Sequence, residues 1–243
     1  MNVFLGYQLL EKFKVREYNY ISRSTLQENL EQMNITINID GVDKTVLSSP
    51  ITGSVHFFEE HRLNDLFDNQ KFEIVSETTI HSTLKVPYKL LETNTGSVIS
   101  AFLQENVYLG KDYVISNINQ EQNMISLHQA YEGNPIDNNG ESGYHLVINL
   151  NKDYEVTDYF QSYMDIEQQG REQEILSPIK VIERLFNERL IPANTEISHI
   201  KLGYYSQLPP SGNYQIFTPM WQIRINETFH YVNAIDGAIQ PAK

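Results

Sequence analysis

Hydrophobic and polar positions along this chain alternate in short runs far more often than they recur at helical spacing. The clearest case is the end. There Trp221-Gln222-Ile223-Arg224-Ile225 and Phe229-His230-Tyr231-Val232-Asn233-Ala234-Ile235 flank a polar Asn226-Glu227-Thr228, the pattern of a β-hairpin. A three-residue loop sets Ile225 opposite Phe229 and Ile223 opposite Tyr231. Trp221 then joins their apolar face, while Gln222, Arg224 and His230 point the other way. A two-residue loop slips the register by one and turns His230, Val232 and Ala234 inward instead. The first register is expected, because it gathers five large apolar side chains. Asp236-Gly237 closes the second strand with a turn that tolerates positive φ.

The rest of the chain reads as strands with a few helices. Residues 18–34 predict a helix capped by Ser24, with Leu26, Leu30 and Met33 on one stripe. Residues 35–39 alternate strictly and end in a turn at Asp40-Gly41. A short helix is expected over 60–67, then paired strands at 71–75 and 78–86, with Pro87 interrupting the ladder or marking its edge. Residues 96–107 predict a helix that turns Val98, Phe102 and Leu103 to the core and ends at Leu109-Gly110. Strands follow at 113–118, 124–131 and 144–150, with a polar loop at 133–141 between the last two. A further aromatic strand spans 155–164, and 167–174 reads as a hydrophilic connector. Ser177-Pro178 caps and opens a helix that carries Ile179, Ile182, Leu185 and Phe186 on its apolar stripe and stops at Ile191-Pro192. Strands are expected at 196–205, 220–225 and 229–235, with a Pro209-Pro210-Ser211-Gly212 loop after the first.

Helix, strand, long polar loop, strand, turn and closing strand thus occur twice, at about 96–164 and 177–239. Phe102-Leu103-Gln104-Glu105 matches Leu185-Phe186-Asn187-Glu188 in pattern though little in identity. The expected class is α+β, built from tandem units of a helix packed on a curled antiparallel β-sheet. Four segments are expected. Residues 1–17 form the first, 18–94 an N-terminal α+β segment, 95–172 the first helix-plus-sheet unit and 173–243 the second. Residues 95–243 are alternatively one continuous domain.

At 243 residues the chain is long enough to bury a sizeable core. A net charge of −13 argues against a nucleic-acid surface and against adhesion to anionic lipid, both of which need clustered Lys and Arg. The absence of Cys removes thiol catalysis, disulfides and Cys-ligated zinc together. Residues 2–10 are mostly apolar, too few to span a bilayer, which takes roughly 20. No basic leader or small-residue cleavage site marks a signal peptide. Two readings stand for this stretch: the start of an amphipathic helix, or the outer end of a membrane helix that begins before it.

The closing Trp-x-Ile-x-Ile…Phe-His-Tyr-Val-Asn-Ala-Ile-Asp-Gly resembles the ending of the YycI family, regulators attached to a bacterial WalK (YycG) histidine kinase. The opening Asn2-Val3-Phe4-Leu5-Gly6-Tyr7-Gln8-Leu9 is similar to the outer end of that family's single N-terminal membrane helix. Length and order of elements fit, so the resemblance covers essentially the whole chain. It implies a YycH/YycI-like fold, with residues 1–17 as the end of a truncated membrane helix and its juxtamembrane linker. It further implies an extracytoplasmic domain on a single-pass anchor in the cell membrane, with no enzymatic activity. The implied partners are a YycH-like protein and the WalK/YycG kinase, and the implied role is control of cell-wall metabolism signalling. The alternative is a secreted ligand-binding or protease-inhibiting module, since propeptide-like repeats share a similar final hairpin. A hydrolase with a carboxylate pair assembled only in space is a third reading.

Local motifs add no chemistry. His56-Phe57-Phe58-Glu59-Glu60-His61 lacks the four-residue His spacing of a zincin, and position 60 breaks the inverted form. Asp137-Asn138-Asn139-Gly140-Glu141 resembles a calcium loop, but its Gly is fourth rather than sixth and Ile148 stands at the twelfth place. No Gly-x-Ser-x-Gly elbow or phosphate-binding glycine loop occurs. No residue is therefore assigned as catalytic, cofactor-binding or metal-ligating, and no cofactor is expected. The more useful signal is aromatic: Tyr154, Tyr159, Phe160, Tyr163, Tyr204, Tyr205, Tyr214 and Phe217 are either sheet core or an interface, where Tyr is favoured.

Overall fold

The computed structural model describes residues 25–39, 41, 44–90, 95–137, 145–206 and 212–240. In chain order its elements begin with helix α1 (25–32), β1 (Thr36–Ile37), β2 (Val46–Ser48), β3 (Ile51–Val55) and α2 (Glu60–Leu66). Next come β4 (Gln70–Ser76), β5 (Thr79–Lys89), α3 (Thr95–Asn106), β6 (Tyr113–Asn119), β7 (Met124–Tyr131) and β8 (Asn134–Asp137). β9 (Leu146–Leu150), β10 (Glu155–Ser162), β11 (Met164–Gln168), β12 (Gln173–Ile175) and α4 (Pro178–Asn187) follow. The last are β13 (Glu196–Ile197), β14 (Ile200–Tyr205), β15 (Tyr214–Ile225), β16 (Thr228–Asn233) and β17 (Ile239–Gln240). The class is α+β with mostly antiparallel pairing. Two units interleave along the chain: Met1–Val46, Ile175–Lys201 and Trp221–Lys243 form one, and Leu47–Glu174 with Leu202–Met220 form the other.

In the larger unit the strands run in the order β11-β3-β15-β14-β8-β7-β9-β10-β5-β4, with β6 also on β7. β4 and β5 pair as a hairpin from Gln70↔Leu84 to Ser76↔Thr79. That ladder stops before Pro87, and β10 skips register opposite the same stretch, so the proline sits in the gap its missing N–H requires. α3 lays Ile99, Phe102 and Leu103, with Val107 just beyond it, on a core that contains Phe72, Ile80, Leu127, Ile148 and Tyr159. Val98, expected to face inward, is only half-buried.

The end of α3 lies in dry surroundings, so its last carbonyls need partners from the sheet. The Asn106 carbonyl accepts hydrogen bonds from Gln70 Nε2 and from the Tyr159 hydroxyl, each at 2.7 Å. Ser82 donates to Gln70 Oε1 at 2.6 Å and fixes that amide. Beyond the helix, Leu109 takes φ +48° and leads into the turn Gly110–Asp112. A side chain at Gly110 would drive its Cβ into the Leu103 backbone carbonyl, so the chain can approach the helix only as glycine.

Two sequence expectations fail in this unit. The polar loop 133–141 contains β8, which pairs with β7 at Ala130↔Pro135 and runs parallel to β14 at Tyr204↔Ile136. The hydrophilic connector 167–174 contains the end of β11 and most of β12. In both places a partner distant in sequence, β14 for β8 and β3 for β11, adds to a strand where the local pattern is too polar to announce one, although β8 also folds back on β7.

The smaller unit corrects the helix details. Residues 18–24, including Ser24, lie outside the described residues. α1 buries Leu26 and Leu30 but leaves Met33 exposed, because Asn34 turns left-handed at φ +53°. Ile35 N–H then reaches back to Leu30 C=O, and Asn34 N–H to Glu31 C=O, which closes the helix. α4 ends the same way, with Arg189 at φ +59°, Leu190 bonded to Leu185 and Arg189 to Phe186. Its buried residues are Pro178, Val181, Ile182 and Leu185, so the stripe is rotated and Ile179 and Phe186 are only half-buried. Ser177 precedes the helix but makes no side-chain capping bond.

The final hairpin takes the other register. Only Asn226 and Glu227 lie between β15 and β16, with Asn226 at φ +54°. Trp221, Ile223 and Ile225 are buried as expected, but it is Val232 and Ala234 of the second run that are buried, while Phe229 is exposed. Gln222 Nε2 meets the Tyr231 hydroxyl at 2.9 Å on the opposite face. An asparagine that accepts the left-handed region makes the tighter turn available, and that outweighs the apolar count. Gly237 takes φ +75° in the closing turn, as expected.

Tyr159→Phe removes one of the two donors to the Asn106 carbonyl without changing shape. It should cost about 1 kcal/mol, read as a lower urea midpoint at unchanged slope.

Candidate functional site: an outward face on β15, β3 and β11

Three strands of the larger unit lie side by side in the order β15, β3, β11. Register places Tyr214 opposite Ser54 and Ser54 opposite Asp165. One step along, Ile216 faces Thr52 and Thr52 faces Glu167. Side chains directly opposite one another share a face, so this face carries two rows, each of a large apolar residue, a small hydroxyl and an acid. Tyr214 and Ile216 are each 51% exposed, and the Asp165 side chain 60%. Ser54 and Thr52 form a low strip between an apolar wall and an acidic rim.

The reverse face is core. Ile51, Ile136, Tyr204 and Phe217 are buried together, with Met164 and Ile166 against them. Gly53 lies among them, and a Cβ there would meet Met164 Sδ at 3.0 Å and Phe217 at 3.1 Å. At one end of the outward face His56 Nδ1 lies 3.0 Å from Asp165 Oδ2, while its ring stacks on Tyr108 at 5.5 Å and meets Phe58 and Tyr163 edge-on. The Tyr163 hydroxyl donates to Asp112 Oδ2 at 2.9 Å, and burial raises its pKa.

Gln129 holds the start of β11. Its Nε2 donates to Met164 C=O at 2.7 Å and its Oε1 accepts from Met164 N–H at 2.8 Å, so one side chain replaces a strand neighbour there. Gln129 N–H in turn donates to His145 Nδ1 at 3.1 Å. Burial, with a smaller contribution from His128, lowers the His145 pKa to about 4, so the ring is neutral and Nδ1 stays an acceptor. On β5 and β10, His81 Nε2 meets Asp158 Oδ1 at 3.1 Å and its ring stacks on Phe160 at 4.3 Å. Burial opposes ionisation of Asp158, but hydrogen bonds from Asn149, Thr157 and His81 outweigh it and keep that carboxyl below its ordinary pKa.

The motifs considered in the sequence separate. His56 turns to Asp165, whereas His61 lies 3.5 Å from Glu59 on exposed surface. Among the described residues no three His, Asp or Glu gather as a metal-binding group. Asn138 to Glu141 lie outside the described residues. Of the eight aromatics, Tyr159, Tyr163, Tyr204, Tyr205 and Phe217 are core, and Tyr154, Phe160 and Tyr214 are exposed. Ile216, Asp165, Glu167 and Gln129 escaped the sequence reading. The signal for three of them was present, since Tyr-Gln-Ile-Phe at 214–217 and Met-Asp-Ile-Glu at 164–167 both alternate.

The sequence profile of the YycI protein family matches residues 16–235. The chain belongs to the YycI family. Membership gives it a regulatory role in the WalK (YycG) kinase system, in a family not known for enzymatic activity. No curated protein shows a significant match. Among solved structures, an uncharacterized protein from Eubacterium rectale is similar at a TM-score of 0.52 and 12% identity, over 86% of this chain and 91% of that one. YycH from Bacillus subtilis aligns at a TM-score of 0.40 and 13% identity, over 78% of this chain and 53% of that one. The first likeness concerns the fold alone. The outward face is exposed and of mixed apolar and acidic character. No helix among the described residues is long and apolar enough to cross a membrane.

His145 gives a test of how this region is held. With a folded pKa of about 4 against an ordinary 6.5, the unfolded chain takes the proton first as pH falls. The stability that depends on neutral His145 is complete above pH 6.5 and falls away toward pH 4, by on the order of 3 kcal/mol. His145→Gln, which keeps an acceptor for Gln129 N–H, should flatten the urea midpoint between those pH values.

Proposed function

We propose that this chain is the extracytoplasmic part of a membrane-anchored, non-enzymatic regulator of the WalK (YycG) sensor histidine kinase. It acts with a YycH-like protein through protein–protein contacts and so adjusts cell-wall metabolism signalling. The observation that carries this reading is the family match across residues 16–235. In this proposal residues 1–17, which lie outside the described residues, belong to the outer end of a single N-terminal membrane helix and its linker, and tether the folded part beside the kinase. Tethering lets a modest intrinsic affinity suffice, because confinement raises the effective concentration. Control then arises because the regulator binds one kinase state better than the other, since a regulator that bound both equally would shift nothing.

A pull-down from mildly solubilised membranes tests this, with the parent protein and its complete N-terminal helix as bait. A YycH-like protein and a histidine kinase should come down together. A second bait whose helix is replaced by an unrelated one shows which part carries the contact. Recovery of neither partner by the intact bait overturns the reading.

A further inference from the structure

β11 is an edge strand of the larger unit among the described residues. Its inner side is fixed by His56 N–H to Tyr163 C=O at 3.0 Å and Gln169 N–H to Pro50 C=O at 2.8 Å. In an antiparallel pair these bonds alternate, so Tyr163, Asp165, Glu167 and Gln169 spend their backbone groups on β3. Met164, Ile166 and Gln168 therefore point theirs away from β3. Gln129 satisfies Met164, and the N–H and C=O of Ile166 and Gln168 stand on the open edge.

We propose that this edge takes up an extended segment of a partner protein as an added strand, and that the segment alternates cationic and apolar side chains. Added strands are a recurring mode of peptide capture, with backbone bonds for affinity and alternate side chains for specificity. The side chains decide the chemistry of the occupant. On the outward face its residues come to rest beside Asp165 and Glu167, which select Lys or Arg. On the reverse face its residues extend the cluster at Met164 and Ile166, which selects Val, Ile or Leu. Asp165 already accepts from His56 yet remains 60% exposed, so it keeps capacity for a second donor. A chain of net charge −13 meeting a second copy of itself here would set like charge against like, which argues for a different, basic partner. The opposite edge strand, β4, offers no such selection, because its Lys71 and Glu73 pair with each other at 2.8 Å.

The proposal deepens the regulatory reading and rests on it for the partner, but its test is separate. The probe is a dye-labelled peptide of alternating Lys and Val, with an alternating Glu and Val peptide as control, titrated into the full chain by fluorescence anisotropy. Ile166→Pro removes one outward N–H at a position that gives nothing to β3, where an edge strand tolerates proline. The pair Asp165→Lys and Glu167→Lys reverses the rim without touching the core. Saturable binding of the Lys peptide alone, weakened about tenfold or more by each variant and by raised salt, supports the proposal. Absence of binding, or equal binding by wild type and both variants, overturns it. Sedimentation that shows a dimer lost on Ile166→Pro overturns the basic partner in favour of a second copy. The membrane pull-down is read independently: partners recovered without peptide binding leave the regulator standing and remove only this edge.

Discussion

The larger unit depends on how the end of α3 is satisfied inside the core. A helix leaves its last carbonyls without intrahelical partners, and water cannot serve them where Phe102 and Tyr159 are fully buried. Gln70 from β4 and Tyr159 from β10 donate to the one carbonyl of Asn106, and Ser82 from β5 holds the Gln70 amide. The β4–β5 hairpin and the sequence-distant strand β10 are thereby fixed at one point relative to one helix. Gly110 permits the turn that follows to pass against Leu103, so the polar network and the sharp exit are parts of one arrangement. Burial alone would hold α3 on the sheet, but it would not choose its height or rotation, since apolar contact is not directional.

Gln129 solves the complementary problem at the start of β11 in the same unit. An amide carries one donor and one acceptor at strand spacing, so it can stand in for a neighbouring strand at a single residue. It does so at Met164, the first residue of β11, and its own N–H is fixed by the neutral His145 ring. The result is an edge closed at its start and open along Ile166 and Gln168. Natural sheets blunt their edges with charge, and Asp165 and Glu167 serve that purpose against other acidic chains while admitting a basic one.

Much of this fold was legible in the sequence, and the misses have a common cause. Periodicity located α2, α3 and α4, the β4–β5 hairpin and the break at Pro87, all of which are set by residues near in sequence. It failed at β8, whose partner β14 lies some seventy residues on, roughly the span from Ile136 to Tyr204. It failed at the final hairpin because alternation fits either register, and only the willingness of Asn226 to turn left-handed separates them. The candidate face was half visible. Tyr214 stood out by type, whereas Asp165 and Glu167 looked like solvated linker until β3 brought them level with it.

An open edge with a charged rim suits a regulator better than a large preformed interface would. A few backbone bonds and two ion pairs bind weakly in free solution, because surface pairs contribute little and the incoming segment must be ordered. Weak binding is reversible, and reversibility is what a control protein needs if its partner is to change state. Confinement to a shared membrane supplies the missing concentration without adding contacts, so affinity and reversibility do not compete. The same reasoning explains why regulation requires no catalytic group: a surface that fits one conformation of a partner shifts its equilibrium by the difference in binding between the two states.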